Sequence, residues 1–264
     1  GVPSAFCITF GTGARIRTAV IGDSTANSLA PGLARYYANE EDGLINVGSW
    51  TCPPIRGISS SIPGTVTQQY DCIEITRRTY EYILASKDIQ LVILSIFSRD
   101  LKSWTVPGLS ADASIQDRFE KLKPMLDRDL SALENKGIRV VVTYDTPRLP
   151  IPASACLDRL PNFLKEARCQ VLESELIDRH PHVDLFDQFL GSRSNICVFR
   201  QSDLMIHGGR VRYFDDEGLL LVRDGIHLSY NGSNQMADAY TRSKCFTPLS
   251  HSADRPRDFS SLTD

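Results

Sequence analysis

The segment Thr18-Ala19-Val20-Ile21-Gly22-Asp23-Ser24 is followed closely by Ala26-Asn27-Ser28-Leu29-Ala30. The apolar run suits a buried strand, and the small and apolar residues beyond Ser24 suit a helix. Ser24 is therefore expected where a strand turns into a helix, with its hydroxyl offered to solvent beside the unpaired amides of the helix N-terminus. Two roles are open to it. Serine is a favoured helix cap, and Asp23 could stabilise the same helix start. Serine is also a nucleophile when a neighbouring base takes its proton and a third group fixes the tautomer of that base.

A second segment, Asp224-Gly225-Ile226-His227-Leu228, contains both partners in one loop. Five histidines occur, at 180, 182, 207, 227 and 251; only His227 has a carboxylate three residues before it and a Leu-Ser helix start after it. A satisfied loop histidine is the alternative. Asp224 is the expected orienter, since Asp215 and Asp216 lie farther from the histidine in sequence. His180-Pro181-His182 has no ligand spacing extending it, so no metal site is expected.

Working outward, the runs Arg17 to Ile21, Leu44 to Val47, Ile89 to Phe97, Arg139 to Tyr144 and Val183 to Phe186 read as buried strands. Between them, Ile115, Phe119, Leu122, Leu126, Leu130 and Leu133 recur at steps of three and four, one face of a helix that Pro124 should kink and Gly137 should stop. Strands apolar on both faces and alternating with helices predict an α/β fold, a three-layer α/β/α sandwich with a central parallel sheet. Ligands of such sheets bind outside the carboxyl ends of the strands, where Ser24 is expected. Gly57 to Gln69 reads as a long surface loop, and residues 190 to 223 read as irregular. The expected organisation is an N-terminal linker over 1–16, one domain over 17–249 and a disordered tail over 250–264. Gly11-Thr12-Gly13-Ala14-Arg15-Ile16 lacks the third glycine of a dinucleotide fingerprint and precedes the first strand, so it reads as part of that linker, and no cofactor is expected. No G-x-S-x-G occurs, which argues against a nucleophile elbow.

With 264 residues, 42% of them hydrophobic, the chain can build one large core. Its net charge is −3, and Lys and Arg are scattered in ones and twos, which gives no footprint for nucleic acid or a polybasic membrane contact. No apolar run approaches the ~20 residues of a bilayer span. The chain begins at Gly1 without an initiator Met or a signal sequence, so it reads as a fragment or processed form with any membrane anchor outside it. Seven cysteines, at 7, 52, 72, 156, 169, 197 and 245, are many for a reducing cytosol and form neither a C-x-x-C pair nor a zinc pattern. Disulfides explain them, with buried cytosolic thiols as the alternative; the odd count leaves at least one of Cys7, Cys197 and Cys245 free or bonded elsewhere.

The two end blocks, Gly22-Asp23-Ser24 and Asp224-Gly225-Ile226-His227, resemble those of the SGNH superfamily of serine hydrolases and acyltransferases, whose fold is of flavodoxin-like type. Ser49-Trp50-Thr51-Cys52-Pro53-Pro54-Ile55 and His227-Leu228-Ser229-Tyr230-Asn231-Gly232 narrow the likeness. They resemble the periplasmic SGNH domains fused behind membrane acyltransferase-3 domains, which O-acetylate bacterial surface polysaccharides such as lipopolysaccharide O-antigen. The likeness runs from about Arg17 to Thr241. It implies Ser24 as nucleophile, His227 as base and Asp224 as orienter. For the oxyanion it implies the amide of Ser24 and Gly48 or a neighbouring amide. The superfamily's third-block Asn is absent from Ser95-Ile96-Phe97-Ser98-Arg99-Asp100. Arg99 stands there, as a charged donor or as a surface ion pair. Cys52 with Cys72 and Cys156 with Cys169 would close short loops, each worth on the order of 3 kcal/mol. The implied partners are a surface polysaccharide acceptor and a membrane acyltransferase domain in the same full-length chain, at the periplasmic face of the bacterial inner membrane. A secreted acetylesterase and a non-catalytic sugar-binding module are the alternatives.

Overall fold

The computed structural model describes residues 5–13, 15–60, 72–144, 147–150, 171–176 and 181–249. In chain order these residues form β1 (Ala5–Phe10), β2 (Arg15–Gly22), α1 (Ser24–Tyr37), β3 (Asp42–Ser49) and β4 (Ser59–Ser60). Then come α2 (Cys72–Ala85), β5 (Leu91–Ile96), a 3-10 helix at Ser98–Ser103, β6 (Trp104–Thr105), α3 (Ile115–Asn135) and β7 (Arg139–Tyr144). After β8 (Val171–Leu172) follow α4 (Pro181–Gly191), β9 (Ile196–Arg200), α5 (Ser202–Met205), β10 (Ile206–His207), β11 (Arg210–Val211) and α6 (Tyr230–Arg242).

Six strands form the main sheet in the order β1-β3-β2-β5-β7-β9. Strands β3, β2, β5, β7 and β9 are mutually parallel. Alternation along each strand divides the core. Ala19, Ile21, Val92, Leu94, Val140 and Val142 face one cluster, with Tyr80 of α2, Leu122 and Leu126 of α3 and Phe186 of α4. Val20, Ile93 and Val141 face the other, with Leu29 and Leu33 of α1 and Met236 and Tyr240 of α6. Helices thus cover both faces, giving the expected three layers and the continuous apolar character of the central strands.

α3 begins at the Ser114 cap, whose hydroxyl accepts from the Asp117 amide at 3.1 Å. It runs through Pro124 and ends at Gly137, where φ is +77°. There the amides of Gly137 and Ile138 reach back to Glu134 and Leu133, the Schellman arrangement.

Three expectations are corrected. Val183 to Phe186 is not a strand; it lies within α4, whose buried His182, Phe186, Phe189 and Leu190 recur at helical spacing. The fifth parallel strand is β9, inside the stretch expected to be irregular. Residues 1–16 are not simply a linker: Ala5–Phe10 pairs antiparallel with β3, Ala5 opposite Ser49 and Phe10 opposite Leu44, so the sheet is mixed. Phe10 packs against the second core cluster, giving this edge strand an apolar anchor.

Two disulfides join described residues. Cys52–Cys72 ties the turn after β3 to the start of α2, as expected. Cys197–Cys245 ties β9 to the chain beyond α6, a pairing the spacing did not reveal. Cys7 is exposed and unbonded to another cysteine, and Cys156 and Cys169 lie outside the described residues.

α1 and α6 approach so closely that Ser233 Oγ accepts from the Gly32 amide at 2.9 Å and donates to the Leu29 carbonyl at 3.0 Å. A Cβ added at Gly32 would stand 2.0 Å from the Ser233 carbonyl oxygen. In an open helix, Gly→Ala stabilises by about 1 kcal/mol. Here overpacking reverses the sign, so Gly32→Ala is expected to lower stability by about 1–3 kcal/mol in urea denaturation. A variant as stable as the wild type would show that this contact does not set the helix spacing.

Candidate active site

β2 ends at Gly22, and α1 begins at Ser24. The cap between them is Asp23, whose Oδ1 accepts from the Thr25 amide at 2.8 Å and the Thr25 hydroxyl at 2.7 Å. Asp23 thus does the capping, and Ser24, the first helical residue, has its hydroxyl free for another partner. That partner is His227: Ser24 Oγ lies 2.7 Å from Nε2, across 203 residues of chain. The other ring nitrogen, Nδ1, lies 2.8 Å from Asp224 Oδ2.

Asp224 is held in turn. Its Oδ1 accepts from the amides of Ile226 and His227, both at 2.8 Å. Partial burial pushes its pKa up, but those two amides and the His227 ring outweigh this and hold the carboxyl below its ordinary range. An anionic Asp224 fixes the proton on Nδ1, which leaves Nε2 as the acceptor facing the serine hydroxyl.

The loop carrying this pair is braced on three sides. Bridges join Phe214 to Leu220 and Val222 to Leu228, and the Leu149 amide donates to the Gly225 carbonyl at 2.8 Å. Asp215 accepts from the amides of Glu217 and Leu219 with one oxygen and from Asn231 and Gln235 of α6 with the other. Asp215 therefore fixes the hairpin to the helix and makes no hydrogen bond to the imidazole. Sequence suggested Asp23 only as a stabiliser of the helix start and Asp215 only as a poorer candidate for the orienter; Asp immediately before a helical run is also a cap signal.

Gly48 of β3 is the register partner of Gly22, beside the strand end that carries Ser24. Arg99 lies in the 3-10 helix after β5, and its side chain is outside the described residues. Among the described residues no group of three or more His, Cys, Asp or Glu is arranged to hold a metal, and no helix is long and apolar enough to cross a membrane.

The family model for the SGNH domain fused to AT3 domains matches residues 3–242. The chain belongs to this family. The SGNH domain is also similar in fold to the periplasmic domain of a lipopolysaccharide acetyltransferase from Salmonella ser. Paratyphi A, with a TM-score of 0.57 and 15% identity over 88% of this chain and 84% of that one. A Streptococcus pneumonia protein described as a platelet activating factor matches with a TM-score of 0.44 and 11% identity, over 87% and 84% of the two chains. A Desulfitobacterium hafniense protein placed in the G-D-S-L family of lipolytic proteins matches with a TM-score of 0.42 and 14% identity, over 86% and 98%. No curated protein matches.

In this SGNH domain the two carboxylates of the end blocks are shifted in opposite directions. Burial of Asp23 raises its pKa to about 6, against the Thr25 hydrogen bonds and with help from the negative charge of Asp100. A carboxyl that binds its proton more tightly folded than unfolded favours folding fully below pH 3.8, and this stability is lost as pH rises through about 6. The difference amounts to about 3 kcal/mol. Asn caps a helix as well as Asp and carries no charge. Asp23→Asn should therefore match the wild type in urea melts near pH 4 and exceed it by about 3 kcal/mol near pH 7. Parallel stability curves for the two proteins would show that Asp23 titrates as an ordinary carboxylate.

Proposed function

We propose that the domain transfers an acetyl group to a hydroxyl of a bacterial surface polysaccharide, lipopolysaccharide O-antigen being the first candidate, through an acyl-enzyme on Ser24. The observation that carries this reading is the unbroken relay from Asp224 through His227 to Ser24 Oγ. Membership of the AT3-fused SGNH family supports transfer over simple ester hydrolysis and supports a membrane acyltransferase domain in the same full-length chain, and the likeness to a periplasmic acetyltransferase domain supports a periplasmic setting.

The first half-reaction needs an acyl ester or thioester donor. Ser24 Oγ attacks the acyl carbon while His227 Nε2 takes the hydroxyl proton; the bond to the leaving group breaks, and that group departs with the proton. In the second half, a sugar oxygen attacks the same carbon and its proton passes to Nε2. The acyl–Oγ bond breaks, and Ser24 recovers the proton. Asp224 stays ionised throughout and stabilises the imidazolium in each half. The developing oxyanion takes hydrogen bonds from the Ser24 amide, from Gly48 or a neighbouring amide, and from Arg99, each donor worth about 3 kcal/mol in the barrier.

Ser24→Ala is expected to abolish hydrolysis of p-nitrophenyl acetate, in which water takes the place of the sugar; equal hydrolysis by the Ala variant would remove Ser24 from the mechanism. Asp224→Asn should lower kcat by about 10³–10⁴-fold, because an Asn oxygen that keeps the Ile226 and His227 amides turns its NH2 toward Nδ1 and moves the imidazole proton to Nε2. A near-normal kcat would mean that another group orients His227.

Arg99→Ala should lower kcat roughly a hundredfold with little change in KM and in melting temperature. Normal turnover by this variant would remove Arg99 from the oxyanion site.

A further inference from the structure

The chain has two tryptophans with opposite fates. Trp104 is 1% exposed within the core, whereas Trp50 is 63% exposed. Trp50 directly follows β3, and its place relative to Ser24 follows from register. Gly22 and Gly48 are partners on parallel neighbouring strands, which run about 4.8 Å apart. Ser24 and Trp50 each stand two residues beyond that same rung.

The turn beneath the indole is held firmly. Thr51 has φ of 64°, the left-handed region, a conformation that costs a β-branched residue on the order of 1–3 kcal/mol. The next residues are anchored from three directions. The Cys52 amide donates to the Ser49 carbonyl at 3.2 Å, Cys52 is bonded to Cys72, and Tyr80 Oη donates to the Pro54 carbonyl at 3.1 Å. Backbone strain combined with an unburied indole, at the strand end next to the nucleophile, runs against stability twice. Leaving such a large apolar side chain in water forgoes on the order of 2 kcal/mol of burial. Tyr230, 72% exposed and three residues beyond His227, leaves a second aromatic ring in water on the segment that carries the base.

A flat aromatic face matches the C–H face of a pyranose ring. The ring quadrupole is negative over its face, while the sugar C–H groups are slightly positive and have no hydrogen-bond demand. We propose that Trp50 is the stacking platform for a pyranose unit of the acceptor saccharide, positioning one of its hydroxyls toward the acyl carbon on Ser24. The inference rests on the acyl-transfer reading of Ser24 and adds to it the residue that favours sugar over water as the attacking group.

Because Trp104 is buried, acrylamide quenching of the intrinsic fluorescence reports chiefly on Trp50. The chain is titrated with the methyl pyranosides of glucose, galactose, mannose and rhamnose, and with lipopolysaccharide polysaccharide freed of its lipid. At least one probe should protect the indole from quenching, in the wild type and equally in Ser24→Ala, which binds but cannot react. With p-nitrophenyl acetate as donor and the protecting saccharide as acceptor, Trp50→Ala should lower the ratio of transfer to hydrolysis about tenfold through KM for the saccharide, and Trp50→Phe should restore most of it. Absence of protection by every probe would overturn the proposal, as would a proportional fall of transfer and hydrolysis in Trp50→Ala. Protection by vesicles of phosphatidylglycerol and phosphatidylethanolamine in place of saccharide would overturn it too and make Trp50 a membrane contact. Full hydrolysis by Ser24→Ala would sink the acyl-enzyme reading, whereas the quenching result tests Trp50 separately.

Discussion

The close packing of α1 against α6 is the contact on which the site depends. Ser24 begins α1 and His227 lies just before α6, so the two groups meet only if the two helices do. Their hydrogen bond cannot hold them together by itself. Closing a loop of about 200 residues costs about 5 kcal/mol in chain entropy, and a single hydrogen bond returns about 1 kcal/mol net. The larger share comes from the buried Leu29, Leu33, Tyr37, Met236, Ala237 and Tyr240. Ser233, inserted at Gly32, sets how near the backbones come. The hydrogen bond at the site is therefore a consequence of packing about one to four helical turns away.

Two carboxylates at the site show how environment separates duties. Asp23 is buried, and although its carboxyl accepts from the Thr25 amide and hydroxyl, burial dominates and its charge is disfavoured. Asp224 is half exposed and accepts from two amides and an imidazole, so its charge is favoured. One residue type serves in one place as a cap that frees a serine and in the other as an anion that holds a histidine.

Much of this could be read from sequence, and the failures have physical causes. Arg139 to Tyr144 forms the strand its apolar run suggests, and the runs at Arg17, Leu44 and Ile89 fall within two residues of β2, β3 and β5. Central strands buried on both faces carry a strong signal. Val183 to Phe186 misled because four residues, three of them apolar, are too short to distinguish a strand from one turn of helix; the deciding positions, Phe189 and Leu190, lie just beyond. β9 was missed although Ile196-Cys197-Val198-Phe199 is apolar, because it is the sheet's far edge, with partly exposed residues among polar neighbours. β1 was missed because β3, its partner among the described residues, lies more than thirty residues downstream, a pairing no local pattern reports. At the site, the residue types of the two motifs were legible, but their contact across 203 residues came only from the likeness to a family. The Cys197–Cys245 pairing was not legible, because spacing does not distinguish between the possible partners of an odd set.

The strand ends beside Ser24 are also closer than side chains allow. A Cβ on Gly22 would stand 2.4 Å from the Ser95 carbonyl oxygen, and one on Gly48 would stand 1.8 Å from the carbonyl oxygen of Gly22. On the rung formed by Gly48, Gly22 and Ser95, neither glycine thus has room for a Cβ. Polar backbone there is concentrated in a small volume, as an oxyanion requires and a nucleophile alone does not. Immediately past this rung the chain changes character: Ser24 enters a helix on one strand, and on the next Thr51 takes a strained turn that leaves Trp50 in water. On the proposed acyl-transfer reading, hydrolysis needs only a place for the acyl group beside these small residues, because water is small. Transfer to a sugar also needs a landing, and the proposed role of Trp50 gives the strained turn, otherwise unfavourable, that purpose.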